Sequence, residues 1–145
     1  MPDIHVASWM TWALLSAVFA ALTAILAKLG VANIDSDLAT FIRTVVILLV
    51  LGSLLFARGL LNSFAAVSGR TYLFLALSGL ATGASWLCYF RALQLGDAAR
   101  VAPVDKLSVV LVAVFGVTFL GEYLAPHNWL GVLLIAAGVV LIALP

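Results

Sequence analysis

The sequence predicts an all-α integral membrane protein, a bundle of five transmembrane helices. Three observations carry that prediction. Of the 145 residues, 66% are apolar, where a soluble domain holds about 45–50%. Only 9% are charged, against about 25% in a soluble domain. Mean hydropathy is +1.26, and the apolar residues gather into five runs divided by short polar breaks.

A bilayer core about 30 Å thick needs roughly 20 apolar residues as helix. The runs that meet or approach this length cover residues 8–29, 38–57, 71–95, 103–120 and 128–144. The first follows nine residues that contain no Lys or Arg and is too long for a signal core, so it is expected to stay in the mature protein. No lipidation motif marks either end. Asn33-Ile-Asp35-Ser-Asp37 separates it from the second run, and Arg58-Gly59 and Ser68-Gly69-Arg70 separate the second from the third.

The third run has the clearest periodicity. Ser78, Thr82, Ser85 and Tyr89 follow one another at helical spacing and lie on one stripe that leads toward Arg91. A polar stripe in lipid lines a wet cavity or joins helix to helix. Gly79 and Gly83 form a GxxxG on a neighbouring stripe, which indicates close packing and little more. The fourth run is uncharged only from Leu107 to Leu120, so it must recruit Pro103-Val-Asp105-Lys106 to cross the membrane. Pro103 and Asp105 suit a helix start. Lys106 does not, because a cation in the first turn opposes the helix dipole. Gly121-Glu122 and Pro126 then punctuate the entry to the fifth run.

Several function classes fall away. A net charge of +1 without a basic cluster argues against nucleic-acid binding. Cys88 is the sole cysteine and reads as a small buried hydrophobe. His5 and His127 read as interfacial residues, and neither a metal-ligand spacing nor a P-loop is present, so no metal, cofactor or ATP hydrolysis is expected. Asp105 and Glu122 stand at opposite ends of one run, about 25 Å apart along a helix, too far to act as paired acids. An enzyme is therefore not expected.

What remains is a set of charges near one face: Lys28, Arg43, Arg91, Asp105 and Lys106. A cation at the centre of a membrane helix costs about 2.5–3.5 kcal/mol on insertion scales, so each either snorkels to the interface or serves a function. Asp105 and Lys106 are adjacent and diverge by about 100° on a helix, which predicts that Asp105 pairs with an Arg of another helix and leaves Lys106 for a ligand. Positive residues on the two faces number two against five, favouring an outside N-terminus. Setting Arg43, Arg91 and Lys106 aside as functional leaves two against two, which permits dual topology.

The stretch from Trp86 to Leu144 resembles the EamA module of the drug/metabolite transporter superfamily. The matching residues are Tyr89-Phe-Arg91-Ala-Leu-x-x-Gly96, Ala99-x-Val101-x-Pro103, Leu120-Gly-Glu122, Trp129-Leu-Gly131 and Ile135-Ala-Ala-Gly138. Ala27-Lys28-Leu-Gly30 and Arg43 extend the match to nearly the whole chain. The chain is similar to the short bacterial and archaeal members with five helices, one half of the ten-helix inverted-repeat architecture of longer relatives. It departs from the four-helix multidrug exporters, whose first helix carries a Glu that is missing here.

The resemblance implies a secondary transporter of a small polar metabolite, working by alternating access in the inner (plasma) membrane. A five-helix half implies a homodimer, parallel or antiparallel. Gly131 and Gly138 are candidates for the dimer contact or for packing within one protomer. Lys106 and Asp105 are expected to contact substrate, assisted by Arg91, Arg43 and the stripe Ser78, Thr82, Ser85 and Tyr89, with Trp86 and Tyr89 as an apolar wall. Two rival readings are a non-transporting membrane subunit that assembles with a partner protein and one half of a heteromeric carrier.

Overall fold

Every apolar run is helical in the computed structural model, which describes the backbone of residues 3–144 and the side chains of residues 9–64 and 66–144. The expectation for His5 concerns a side chain outside the described residues. The helices are α1 (Asp3–Gly30), α2 (Ser36–Ala57), α3 (Gly69–Leu95), α4 (Ala98–Asp105), α5 (Ser108–Phe119) and α6 (Pro126–Ala143), with a 3₁₀ helix over Leu60–Ala66. Five spans are long and apolar enough to cross a bilayer: Trp9–Gly30, Ser36–Ala57, Gly69–Leu95, Ala98–Phe119 and Pro126–Ala143. The protein is an all-α, multi-pass membrane protein.

Contacts group the chain into two compact units, one from Ala27 to Gln94 and one joining the residues through Leu26 with those from Leu95 onward. In the first unit, α1 closes with a bond from Val31 N–H to the Ala27 carbonyl (2.9 Å). Asp35 then caps α2, its Oδ1 accepting from Asp37 N–H (2.8 Å) and Leu38 N–H (3.2 Å). This satisfies donors that a helix start leaves free, so α2 begins at Ser36, inside the expected loop. The buried Thr40 hydroxyl donates to the Ser36 carbonyl (2.8 Å), as lipid-facing or buried hydroxyls must.

Arg58 and Gly59 end α2, with Gly59 at φ 65°, a left-handed conformation that a Cβ would strain. Ser68 opens α3 by accepting from Thr71 N–H (3.2 Å). Tyr72 ties α3 to the 3₁₀ helix through a hydroxyl bond to the Phe64 carbonyl (2.8 Å).

In the second unit the fourth span differs from expectation. It begins at Ala98, not Pro103, because Asp97 takes the extended conformation of an N-cap (φ −71°, ψ 137°). Pro103 consequently lies inside α4, where its ring crowds the preceding turn and its missing N–H removes a helical bond. The span breaks just beyond. Lys106 N–H bonds to Pro103 (2.9 Å) and Leu107 N–H to Val104 (3.0 Å), a tightened three-residue pattern, before α5 resumes at Ser108. Lys106 therefore closes α4 instead of opening a helix, and the dipole conflict expected of it does not arise.

Gly121 turns the chain out of α5 at φ 69°. Glu122 folds back over the buried Gly116, with its N–H on the Gly116 carbonyl (3.0 Å). A Cβ on Gly116 would stand 2.6 Å from Glu122 Oε2, so the glycine makes room for the carboxylate. Pro126 begins α6, which packs on both α4 and α5.

Little of this chain is buried against itself. Among the described residues the buried apolar side chains are Ala24, Val31, Ala39, Phe90, Leu93 and Val139, and 6% of each span's most apolar window is covered. Cys88, expected in a core, is exposed. Lipid tails are as apolar as leucine, so outward apolar faces carry no penalty in a bilayer, and helices there associate through packing and polar contacts.

Candidate functional site

Four of the six buried apolar residues, Val31, Ala39, Phe90 and Leu93, belong to the unit from Ala27 to Gln94, with Ser36 and Thr40. They mark a corner where α1 ends, α2 begins and α3 ends. Polar bonds lock it. Lys28 Nζ donates to the Leu93 carbonyl in the last turn of α3 (2.6 Å), a group that the end of a helix leaves unpaired. A cation there also suits the negative end of the dipole. The expected snorkelling of Lys28 thus ends on protein, not in headgroups. Gln94 Nε2 donates to the Ile34 carbonyl (2.7 Å) and more weakly to that of Val31 (3.5 Å). Arg91 donates to Gln94 Oε1 (3.0 Å), which fixes the direction of the amide. A cavity of about 380 Å³ opens beside the lock, lined by Lys28, Val31, Ala32, Leu93 and Gln94.

One helical turn deeper, Arg43 of α2 meets α3. Its guanidinium carbon stands 4.1 Å from the Trp86 ring centre and 5.4 Å from that of Phe90. Trp86 and Phe90 are one turn apart on α3, so both rings reach one cation. Tyr89 sets its ring edge against Phe90, at 6.5 Å between centres and 65° between planes.

The polar stripe of α3 is present, though part of it is occupied locally. Thr82 Oγ1 donates to its own helix at the Ser78 carbonyl (2.9 Å), and Ser78, Thr82 and Ser85 are exposed while Tyr89 and Trp86 are half-buried. Asp105 and Lys106 lie in the other unit and pair with each other, Nζ to Oδ2 at 3.1 Å. This corrects the expectation of an Asp105 pair with an Arg from another helix. Neighbouring side chains diverge by about 100°, but the long Lys106 stem carries its ammonium back to the adjacent carboxylate. Both side chains are partly exposed, 55% for Lys106 and 35% for Asp105. Gly131 and Gly138 are half-buried, and an added Cβ at either would meet nothing within 4 Å among the described residues.

Gln94 and Phe90 escaped the sequence reading. Gln94 is the sole glutamine of the chain and stands three residues after Arg91, a spacing that places both on one helical face. Phe90 sits four residues after Trp86.

Residues 7–144 match the model of the EamA-like transporter family. The chain belongs to that family. Similar proteins agree with this membership. A Sinorhizobium protein described as an uncharacterized transporter in the cobO 3′ region is 68% identical over 136 residues, covering 94% of the present chain and 96% of that protein. A Caenorhabditis elegans protein described as a UDP-N-acetylglucosamine/UDP-N-acetylgalactosamine transporter is 39% identical over 56 residues, which is 39% of the present chain and 16% of the worm protein. No solved structure matches. The EamA-like chain is thus a membrane transporter by family, with its polar groups held at helix ends and on α3.

Proposed function

We propose that this EamA-like protein is a secondary carrier of a small polar metabolite in the inner (plasma) membrane, working by alternating access as a homodimer. The observation that carries the reading is the broken fourth span. Pro103 and the turn at Lys106 interrupt an apolar segment at an exposed Asp105–Lys106 pair. Irregular backbone at membrane depth is tolerated where it lines a water-filled path, and carriers place solute sites at such breaks. Lys106 offers an ammonium to the solute, and Asp105 is the acceptor if protons are coupled.

The dimer reading is supported by the small buried fraction of every span and by the space around a Cβ at Gly131 and Gly138 on α6. Spans with so little cover have apolar faces available to a second copy, and small residues let it approach closely. The solutes in the worm relative's description are polar sugar nucleotides, in keeping with a polar cargo here.

Flux into liposomes tests the reading. Lys106→Ala combined with Asp105→Ala is expected to lower solute flux at least tenfold while the protein still elutes as a single species. Unchanged flux overturns the site assignment. Gly138→Cys, in a Cys88→Ser background, is expected to form a disulfide-linked dimer in membranes. A monomer under oxidising conditions removes α6 from the dimer contact.

A further inference from the structure

We infer that Arg43 is the recognition group for an oxyanion of the transported solute, a carboxylate or a phosphate, and that Trp86 and Phe90 hold its guanidinium ready for that contact. The inference rests on the transporter reading above and names the chemical class of the cargo. It concerns a different unit of the chain from the Asp105–Lys106 pair.

Arg43 is the eighth residue of α2, about 10 Å along the helix from its first residue. Charge at such a position is costly and marks function by default. A snorkelling arginine sends its head along the helix toward water. This one turns sideways onto α3, 4.1 Å from the Trp86 ring centre and 5.4 Å from that of Phe90. Aromatic rings offset the cation through their negative faces, yet they offer its N–H donors no oxygen acceptor. Among the described residues, Arg43 has no carboxylate within ion-pair distance and donates no hydrogen bond, the ion pair being that of Lys106 with Asp105.

The rim of Arg43 is therefore positioned and unspent. Two parallel N–H groups in a fixed fork match the two oxygens of a carboxylate or phosphate, and low dielectric strengthens the pairing. A neutral solute leaves those donors unmet, and an organic cation is repelled. Ser85, exposed and adjacent to Trp86 on α3, adds a hydroxyl for the rest of a polar solute. Arg91 differs, since Gln94 Oε1 already takes one of its donors (3.0 Å).

The test uses detergent-purified full-length protein and matched pairs: amino acids against their amides, dicarboxylates against their dimethyl esters, and sugar phosphates against the free sugars. Binding is read by thermal stabilisation and by isothermal titration. At least one acid member is expected to bind, with its neutral partner at least tenfold weaker. Arg43→Gln is expected to abolish that preference. Arg43→Lys keeps the charge without the fork and is expected to lose at least fivefold in affinity for the acid. This second variant decides the matter if Arg43→Gln does not fold. Equal binding of acid and neutral members, unchanged acid affinity in a folded Arg43 variant, or no binding by any acid of the panel overturns the inference. Liposome flux of a neutral solute without acid binding overturns it too, yet leaves the transporter reading in place. Absence of flux for every compound, with acid binding intact, overturns the transporter reading instead.

Discussion

Leu93→Ala is expected to destabilise the protein by about 2–5 kcal/mol, the range for removing a large aliphatic side chain from a packed site. Leu93 has no exposed surface in a chain where most large apolar side chains face outward. It fills the corner between the end of α1, the start of α2 and the end of α3, beside Val31 at 1% exposure. Lipid cannot enter the space its side chain would vacate, so the lost contacts are not replaced. Unfolding of detergent-solubilised protein in urea or dodecyl sulfate measures the effect. Leu95→Ala, two residues on and 76% exposed, is the control and is expected to change stability by less than about 0.5 kcal/mol. Equal losses in the two variants would show that the corner is not a packed core.

The second large effect is expected from Lys28→Met, which keeps most of the apolar stem and removes the ammonium. The bond from Lys28 Nζ to the Leu93 carbonyl is part-buried and 2.6 Å long. A hydrogen bond to a charged group contributes about 1.5–3 kcal/mol, and its loss leaves the final carbonyls of α3 short of a donor. Destabilisation by about that amount is expected in the same unfolding assay, with Lys28→Arg recovering part of it. If Lys28→Met unfolds as the wild type does, the ammonium is held by water or headgroups and not by α3. Solute affinity should follow stability in these variants without a change in acid preference, which separates the corner from Arg43.

The two regions divide the labour of the polar residues. Lys28 and Gln94 donate to carbonyls at the end of another helix or its following turn, and Arg91 orients Gln94, so these groups fasten helix ends. Arg43 lies against aromatic faces and Lys106 pairs with Asp105, and these two are the cations proposed to meet the solute. Charge alone does not distinguish these groups. Their partners do.

Much of the fold was legible because its cause is local. Apolar runs of membrane length, Asp35 before α2, Gly59 and Gly121 after helices, and Pro126 at the start of α6 each act within a few residues of themselves. The start of the fourth span was misplaced because Pro103 suits a first helical position, yet Asp97 starts the helix earlier and the proline is carried inside at the cost of a break. Asp105 and Lys106 pair with each other because a lysine stem is long enough to reach an adjacent carboxylate, which spacing rules for helix faces leave out.

By itself, the sequence determined the membrane class, the five spans, the family and the polar stripe of α3, because hydropathy and periodicity are properties of consecutive residues. Tertiary structure decided which cation fastens and which stays available. Lys28 finds Leu93, Gln94 finds Ile34, and Arg43 finds Trp86 and Phe90 across tens of residues of chain. Such pairings depend on how helix ends meet, and no spacing along the chain encodes that.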